Sequence, residues 1–218
     1  MFSGGNMAKN NSVKGNFHYN NMEKMNKNFM YSNLTRSNCY NSSFAGSNFS
    51  FVSFRGAHFK SCDFYGCTFK SAEFIGTNLK NSKFRHGKFE DTLFEGVNLS
   101  EVDFRDAEFK NTIFVECNLN TCKSLFFDKD EVTIYEEIPK LDISEELEKA
   151  INKAMENKFI KASRVIDTKE GKINPIKIIM LQRKYSEEAL IKGFNDMAEA
   201  VDRDFHTLSY LFRFFNEK

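Results

Sequence analysis

The sequence predicts a β solenoid followed by an α-helical region. Nineteen positions spaced five residues apart, from Phe29 to Leu119, hold Phe fourteen times, Leu four times and Cys once, at Cys39. Two residues before each position, from Ser32 to Cys117, the side chain is always small. A third observation is an apolar stripe with helical spacing near the C-terminus. A fixed repeat period is typical of stacked architectures, so these features together predict the fold class.

The five-residue period has a direct physical meaning. It fits neither the 3.6-residue turn of a helix nor the two-residue alternation of a strand. One large and one small residue of each pentad therefore point inward, while the residues between them are mostly polar. The chain must turn a corner every five residues, with a short extended segment along each side. Stacked coils lie about 4.8 Å apart, a spacing that suits offset stacking of aromatic rings.

Segments such as 62–66 (CDFYG), 72–76 (AEFIG) and 97–101 (VNLSE) resemble the pentapeptide-repeat family. The resemblance covers residues 27–123 and implies a right-handed quadrilateral β-helix with four pentads per coil, or about 5 coils here. It also implies a C-terminal helical region that caps the rod and dimerises. We therefore expect a cap or partly disordered segment over residues 1–26, the β-helix over 27–127 and helices over 128–218.

Four faces per coil imply that residues twenty apart share a column. Phe29, Phe49 and Phe69 fit one such column. The predicted core consists of Phe44, Phe49, Phe54, Phe59, Phe64, Phe69, Phe74, Leu79, Phe84, Phe89, Phe94, Leu99, Phe104, Phe109, Phe114 and Leu119. Gly56 and Gly76 recur at one corner, where a positive φ favours glycine. An amide ladder is expected from Asn38, Asn78, Asn98 and Asn118.

The C-terminal region has the signals of several helices. A helix is predicted to begin near Ser144, another at Asn174-Pro175 and the last at Ser186. The apolar stripe of the last helix includes Phe194, Met197, Val201, Phe205, Leu208, Phe212 and Phe215. This stripe must pack on the other helices, on the rod end or on a second copy of the chain. The family resemblance favours the last choice, a homodimer through the C-terminal helices.

Charge is distributed unevenly although the net charge is only +1. Residues 27–89 carry a net charge of +7, whereas residues 90–116 carry −6. The acidic residues of the second segment are Glu90, Asp91, Glu95, Glu101, Asp103, Asp106, Glu108 and Glu116. A solvated surface explains this pattern without any function, and the alternative is a partner-binding acidic patch.

The main functional hypothesis is a non-catalytic protein-binding scaffold whose partner is unknown. The family resemblance implies an alternative, because some members mimic B-form DNA, bind DNA gyrase and protect it from quinolones. Duplex DNA carries about one charge per 1.7 Å of axis, but residues 27–123 hold 12 basic and 10 acidic residues. The net charge of the whole rod is therefore positive, which excludes mimicry of DNA by the rod as a whole. Mimicry of a short DNA segment would use the acidic patch of residues 90–116.

Other function classes find little support in the sequence. Phosphate-binding, hydrolase and metalloprotease motifs are absent, so neither an enzyme nor a cofactor is predicted. All five cysteines occupy inward positions of the repeat, which favours buried free thiols over disulfides or a metal site. Direct binding of nucleic acid is not expected. No signal sequence or membrane-spanning stretch is evident, so a cytoplasmic location is expected and membrane binding is not.

Overall fold

The computed structural model describes residues 17–215. Within them, a β solenoid of about six turns precedes four α-helices. The strands are short and pair in parallel with the strand one coil away. They are β1 (His18–Asn20), β2 (Asn38–Tyr40), β3 (His58–Lys60), β4 (Glu73–Ile75), β5 (Lys88–Glu90), β6 (Leu93–Glu95), β7 (Glu108–Lys110), β8 (Thr112–Val115) and β9 (Val132–Tyr135).

The corners of the solenoid are residues with positive φ. From Asn21 to Glu116, every fifth residue has a φ between 46° and 70°. Four such corners close each twenty-residue coil, as the five-residue period predicts. Gly76 adopts this conformation without steric cost, but bulky residues such as Tyr31 and Phe51 adopt it as well. Stacking on the neighbouring coils therefore imposes the corner conformation on residues that rarely adopt it alone.

Aromatic columns fill the interior. The Phe69 ring lies 5.5 Å from Phe49 and 4.9 Å from Phe89, nearly parallel to both. Every predicted core side chain lies in this interior and is buried, except Leu119, which is partly buried. Each column therefore removes apolar surface from water along most of the rod.

The small inward residues also complete the hydrogen bonding of the coils. The Ser82 hydroxyl donates to the carbonyl oxygen of Phe59 at 2.6 Å, and the Thr92 hydroxyl donates to that of Phe69 at 2.5 Å. The same pattern joins a residue to the carbonyl 23 residues earlier at several levels of the stack. This explains why Ser, Thr and Cys recur at the small positions, since each provides a donor with little bulk.

The solenoid is longer than the predicted five coils because both flanks join it. At the N-terminal side, β1 pairs with β2, so residues 17–26 already form part of a coil. At the C-terminal side, β9 pairs with β8 in the same twenty-residue register. Thus Val132 and Ile134 resume the pattern after the irregular stretch that follows Cys122. Of the N-terminal segment expected over residues 1–26, residues 1–16 lie outside the described residues.

The four helices are α1 (Glu145–Met155), α2 (Lys158–Ser163), α3 (Pro175–Gln182) and α4 (Glu187–Ala200). The predicted start signals are confirmed: Ser144, Asn174 and Ser186 each accept a backbone hydrogen bond as N-caps. The last helix is shorter than the sequence pattern indicates. It ends at Ala200, and a 3-10 helix over Leu208–Phe214 follows.

Candidate interaction surfaces

The helical domain covers one side of the solenoid. We call this side the helix-covered face, and it is formed by β4, β6, β8 and β9. Its outward side chains Leu93, Ile113 and Val115 are buried against Ile176 of α3. Outward positions of the solenoid are otherwise mostly polar. Apolar residues at outward positions twenty apart therefore indicate that the helices pack against the side of the solenoid. The sequence-based expectation was instead that the helices cap its end.

A buried ion pair lies at the centre of this junction. The Lys177 ammonium lies 2.7 Å from Oε2 of Glu73, and the two side chains are 0% and 3% exposed. Within the described residues, neither of these two atoms has another polar partner. The other carboxylate oxygen of Glu73 accepts a hydrogen bond from the Leu208 backbone N–H at 2.6 Å. Each buried charge depends on the other, because neither is solvated by water.

Polar contacts at the edges of the junction complete the docking. Lys184 forms an ion pair with Asp91 at 2.6 Å. On an earlier coil, the Arg55 guanidinium donates to the carbonyl oxygen of Arg164 at 2.9 Å. Arg55 and Asp91 are about two coils apart, so the helical domain contacts more than one level of the rod.

The eight acidic residues of the predicted patch do not form one surface. Four of them lie on three different faces and four lie at corners of the coil, because a twenty-residue coil carries neighbouring residues around its perimeter. Five of them form ion pairs in the structure, and Asp106 lies 3.6 Å from Nε2 of His86. The ion pairs are Glu90 with Lys70 (3.0 Å), Asp91 with Lys184 (2.6 Å), Glu101 with Lys123 (2.7 Å), Asp103 with Arg85 (2.6 Å) and Glu108 with Lys88 (3.6 Å).

Asp103 illustrates how such acids are held in place. Burial raises the pKa of its carboxyl group, but the Arg105 backbone N–H and the Arg85 guanidinium outweigh this effect. The net result is a pKa below the ordinary value of an aspartate. Asp103 is therefore ionised at neutral pH and already bound to its neighbours, so it is not free to contact a partner.

One uncovered face of the solenoid carries no carboxylate. We call it the amide face, and it consists of the outward residues of β1, β2 and β3 and their continuation along the rod. These residues are His18, Asn38, His58, Asn78, Asn98, Asn118, Asn20, Tyr40, Lys60, Lys80, Ser100 and Asn120, all exposed or partly exposed. This surface is not among the sites predicted from the sequence, because its sequence signal is a lack of acidic residues at every twentieth position.

The asparagines of the amide face do not form the predicted ladder. Oδ1 of Asn78 accepts a hydrogen bond from the backbone N–H of Lys80 at 3.2 Å, and Oδ1 of Asn98 accepts one from Ser100 at 3.1 Å. These short-range bonds compete with side-chain pairing between coils. Within residues 17–215 the amide N–H groups of Asn78 and Asn98 have no partner, so the face presents donors outward.

The C-terminal apolar stripe packs inside the helical domain of the same chain. A continuous helix would separate residues 194 and 215 by about 30 Å, yet the rings of Phe194 and Phe215 lie 5.2 Å apart. The chain turns back after α4, and the stripe becomes the core of its own domain. All of its named residues are buried except Phe212, which is partly buried. A homodimer formed through this stripe would require that core to open.

The five cysteines are free thiols in the interior of the solenoid. Burial raises the pKa of Cys62 and Cys67 to about 12 and that of Cys39 to about 11. The Cys67 thiol donates to the carbonyl oxygen of Phe44 at 3.1 Å, as Ser and Thr do at equivalent positions. These thiols therefore stay protonated at neutral pH and have little nucleophilic character.

Ionisation of Cys67 is expected to destabilise the protein above about pH 9. In the folded state the Cys67 thiol keeps its proton up to about pH 12, whereas the unfolded chain releases it above about pH 9. The free energy of unfolding is therefore unaffected by this group below about pH 9 and falls as the pH rises towards about 12. The loss is about 1.4 kcal/mol per pH unit. Urea unfolding of wild type and Cys67→Ser at about pH 8 and pH 10.5 tests this. Serine keeps the donor without ionising, so its smaller loss is expected, and equal losses would contradict the prediction.

The part of the chain that the structure describes holds no group of three or more His, Cys, Asp or Glu side chains placed to bind a metal ion. Among the same residues, none of the helices combines the length and apolarity needed to cross a bilayer.

The repeat region can now be compared with known proteins. The family model described as "Pentapeptide repeats" matches in 8 copies, over residues 28–60, 47–85 and 88–120. The solenoid of this chain is therefore built of pentapeptide repeats. No protein of curated function matches the sequence. The family match does not extend into the helical domain.

Several solved pentapeptide-repeat structures are similar to the solenoid. Rfr23 from the cyanobacterium Cyanothece 51142 is 14% identical, covers 50% of this chain and 88% of its own, and gives a TM-score of 0.29. HetL from the cyanobacterium Nostoc sp. strain PCC 7120, involved in heterocyst differentiation regulation, is 13% identical. It covers 55% of this chain and 70% of its own, with a TM-score of 0.29. A trypsin-treated QnrB1, a plasmid-mediated fluoroquinolone resistance protein, is 17% identical. It covers 57% of this chain and 82% of its own, with a TM-score of 0.28. Similarity at this level carries no argument about function.

Proposed function

We propose that this pentapeptide-repeat protein is a non-catalytic scaffold whose amide face binds an acidic surface of a partner protein. The observation that supports this is the absence of any carboxylate among the twelve outward residues of that face. The other faces carry both signs of charge or are covered by helices. A face with hydrogen-bond donors and cations but no anions is complementary to carboxylates.

The chemistry of the amide face fits such a partner. Lys60 and Lys80 are consecutive cations of one column, and Tyr40 precedes them in it with half of its surface exposed. Amide, ammonium and phenol groups supply hydrogen-bond donors. Because the stacked coils fix these groups, little conformational freedom is lost on binding.

The DNA-mimic alternative is less well supported. Mimicry of a duplex requires a continuous row of unpaired negative charges. Here the acids between residues 90 and 116 lie on different faces, and five of the eight form ion pairs with Lys or Arg. A gyrase-type partner remains a hypothesis that rests on family resemblance alone.

Reversing two charges of the amide face is expected to abolish partner binding. Lys60→Glu/Lys80→Glu places carboxylates where the partner's own acids would contact the rod, so we expect at least a tenfold loss of affinity, or about 1.4 kcal/mol. The matched control is Lys83→Glu/Lys88→Glu, which makes the same charge change on other faces. The measurement is affinity capture from extracts of the source organism, followed by titration of the captured protein against each variant.

The control variant decides whether the face is correctly assigned. Retention by wild type and the control, with loss in Lys60→Glu/Lys80→Glu, supports the proposal. Equal loss in both variants points to a non-specific effect of charge and counts against the amide face. Capture of no protein above a blank matrix counts against the scaffold itself.

A further inference from the structure

Both ends of the solenoid leave a coil unpaired on one side. Within the described residues, β9 pairs only with β8, and β1 pairs only with β2. The carbonyl oxygens of Glu131 and Tyr135 accept hydrogen bonds from the backbone N–H groups of Thr112 and Glu116, both at 2.9 Å. In a parallel ladder the alternate residues, Val132 and Ile134, then direct their backbone groups to the open edge. Such an edge is a template for another chain.

Apolar side chains are exposed beside these open edges. Phe126 is 79% exposed at the C-terminal end, where Ile134 and Ile138 are also exposed. Ile134 continues the column of Phe114, but no further coil covers it. At the opposite end, Met22 and Met25 are exposed on the first coil. Each end thus presents apolar surface that a second molecule would cover.

The two ends carry opposite charge. We call residues 17–60 the basic end, since they hold five Lys or Arg and one acid, Glu23. We call residues 96–140 the acidic end, since they hold ten acids and five Lys or Arg. Four exposed acids of the last turn, Asp128, Asp130, Glu136 and Glu137, form no ion pair within the described chain.

An open depression of about 720 Å³ adjoins β9 at the acidic end. Its lining residues are Ile134, Tyr135, Glu136, Glu137 and Pro139. The surface combines an apolar strand edge with two unpaired carboxylates. It therefore fits a segment that supplies an open strand edge, apolar side chains and cations, and the basic end of this chain has all three.

We propose that the protein assembles head to tail, with the acidic end of one copy against the basic end of the next. A symmetric contact between two acidic ends would bring the four unpaired acids of each copy together, and like charges would oppose it. A head-to-tail contact pairs unlike charges and continues the parallel stack. Such a contact is heterologous and does not close, so it produces an open series of oligomers. This inference goes beyond the scaffold function and does not depend on the amide face.

Sedimentation analysis of the full chain at several concentrations and two salt levels is the first test. At about 0.05 M salt, we expect the weight-average mass to rise steadily above the 25.3 kDa of one chain, without a plateau at two copies. At about 1 M salt, where charges are screened beyond about 3 Å, the mass should fall towards one chain. A monomer under every condition would overturn the proposal, as would a closed dimer.

Charge reversal at each end gives a sharper test. Glu136→Lys/Glu137→Lys reduces the net charge of the acidic end from −5 to −1, and Lys24→Glu/Lys27→Glu reduces that of the basic end from +4 to 0. Each variant alone should remain near the mass of one chain, because most of the charge attraction between its two ends is lost and like charges face each other at the substituted positions. An equimolar mixture should assemble again, since the unreversed acidic end of one variant meets the unreversed basic end of the other, and the two reversed ends carry opposite charges at their substituted positions.

The mixture separates head-to-tail contact from the alternatives. In a dimer through two acidic ends, Lys24→Glu/Lys27→Glu would associate like wild type, and that result would overturn the proposal. The control Lys83→Glu/Lys88→Glu changes the sides of the rod and should assemble as wild type does. Circular dichroism establishes that every variant is folded, and failure of the mixture to assemble contradicts the proposed pairing.

Discussion

Replacing Lys177 with methionine is expected to lower the free energy of unfolding by about 3–5 kcal/mol. The lysine side chain is fully buried, and its charge is the partner of Glu73 at 2.7 Å. Methionine fills a similar volume but leaves the Glu73 carboxylate in the interior without a cation. An unpaired buried charge is among the most destabilising changes in a protein. Urea unfolding of both proteins measures the difference.

Two further variants separate charge from packing. Lys88→Met removes an exposed ion pair with Glu108 and should cost no more than about 1 kcal/mol. Glu73→Gln/Lys177→Met removes both buried charges, while the Gln amide oxygen still accepts from the Leu208 backbone N–H. This double variant should recover most of the lost stability. A double variant as unstable as Lys177→Met would show that the methionine side chain, and not the orphaned carboxylate, causes the loss.

The solenoid could be predicted from sequence because every coil repeats the same local pattern of inward and outward residues. Phe69 and Phe89 occupy the same place in successive coils, so their twenty-residue separation fixes their contact. The helix starts at Ser144 and Asn174 were equally accessible, because an N-cap acts within three residues. These features need no knowledge of distant parts of the chain.

The docking of the helices could not be predicted by the same reasoning. The apolar stripe from Phe194 to Phe215 indicated that something must cover it, but not what. The structure shows that the chain turns back and buries the stripe in its own domain. The outward residues Leu93 and Ile113 held the missing signal, since they are apolar where the repeat expects polar residues. Their partner, Ile176, lies more than sixty residues away in the sequence.

The acidic patch shows how a solenoid separates sequence proximity from spatial proximity. Glu95 and Glu101 are six residues apart, yet they lie on different sides of the coil. Lys60 and Lys80 are twenty residues apart, yet they are stacked neighbours on the amide face. A surface of this fold therefore has to be sought in columns of twenty residues, and a run of consecutive charges is spread around the perimeter.

Phe69→Ala is expected to be the most destabilising single change in the aromatic columns, with a loss of about 3–5 kcal/mol. The ring is fully buried and stacks on both Phe49 and Phe89. Its removal leaves a cavity that the neighbouring coils cannot fill, because their backbone hydrogen bonds fix the spacing. Urea unfolding monitored by circular dichroism measures the loss.

Two controls connect this loss to the position of Phe69 in the stack. Phe69→Leu keeps an inward side chain of the kind found at Leu79 and should cost only about 1–1.5 kcal/mol. Phe29→Ala removes a ring from the first coil, which is only partly buried, so about 1–2 kcal/mol is expected. Each coil contacts only its neighbours, so a central defect weakens two interfaces while a terminal defect weakens one. Equal losses for Phe29→Ala and Phe69→Ala would contradict this, since stability would then not depend on stacking from both sides.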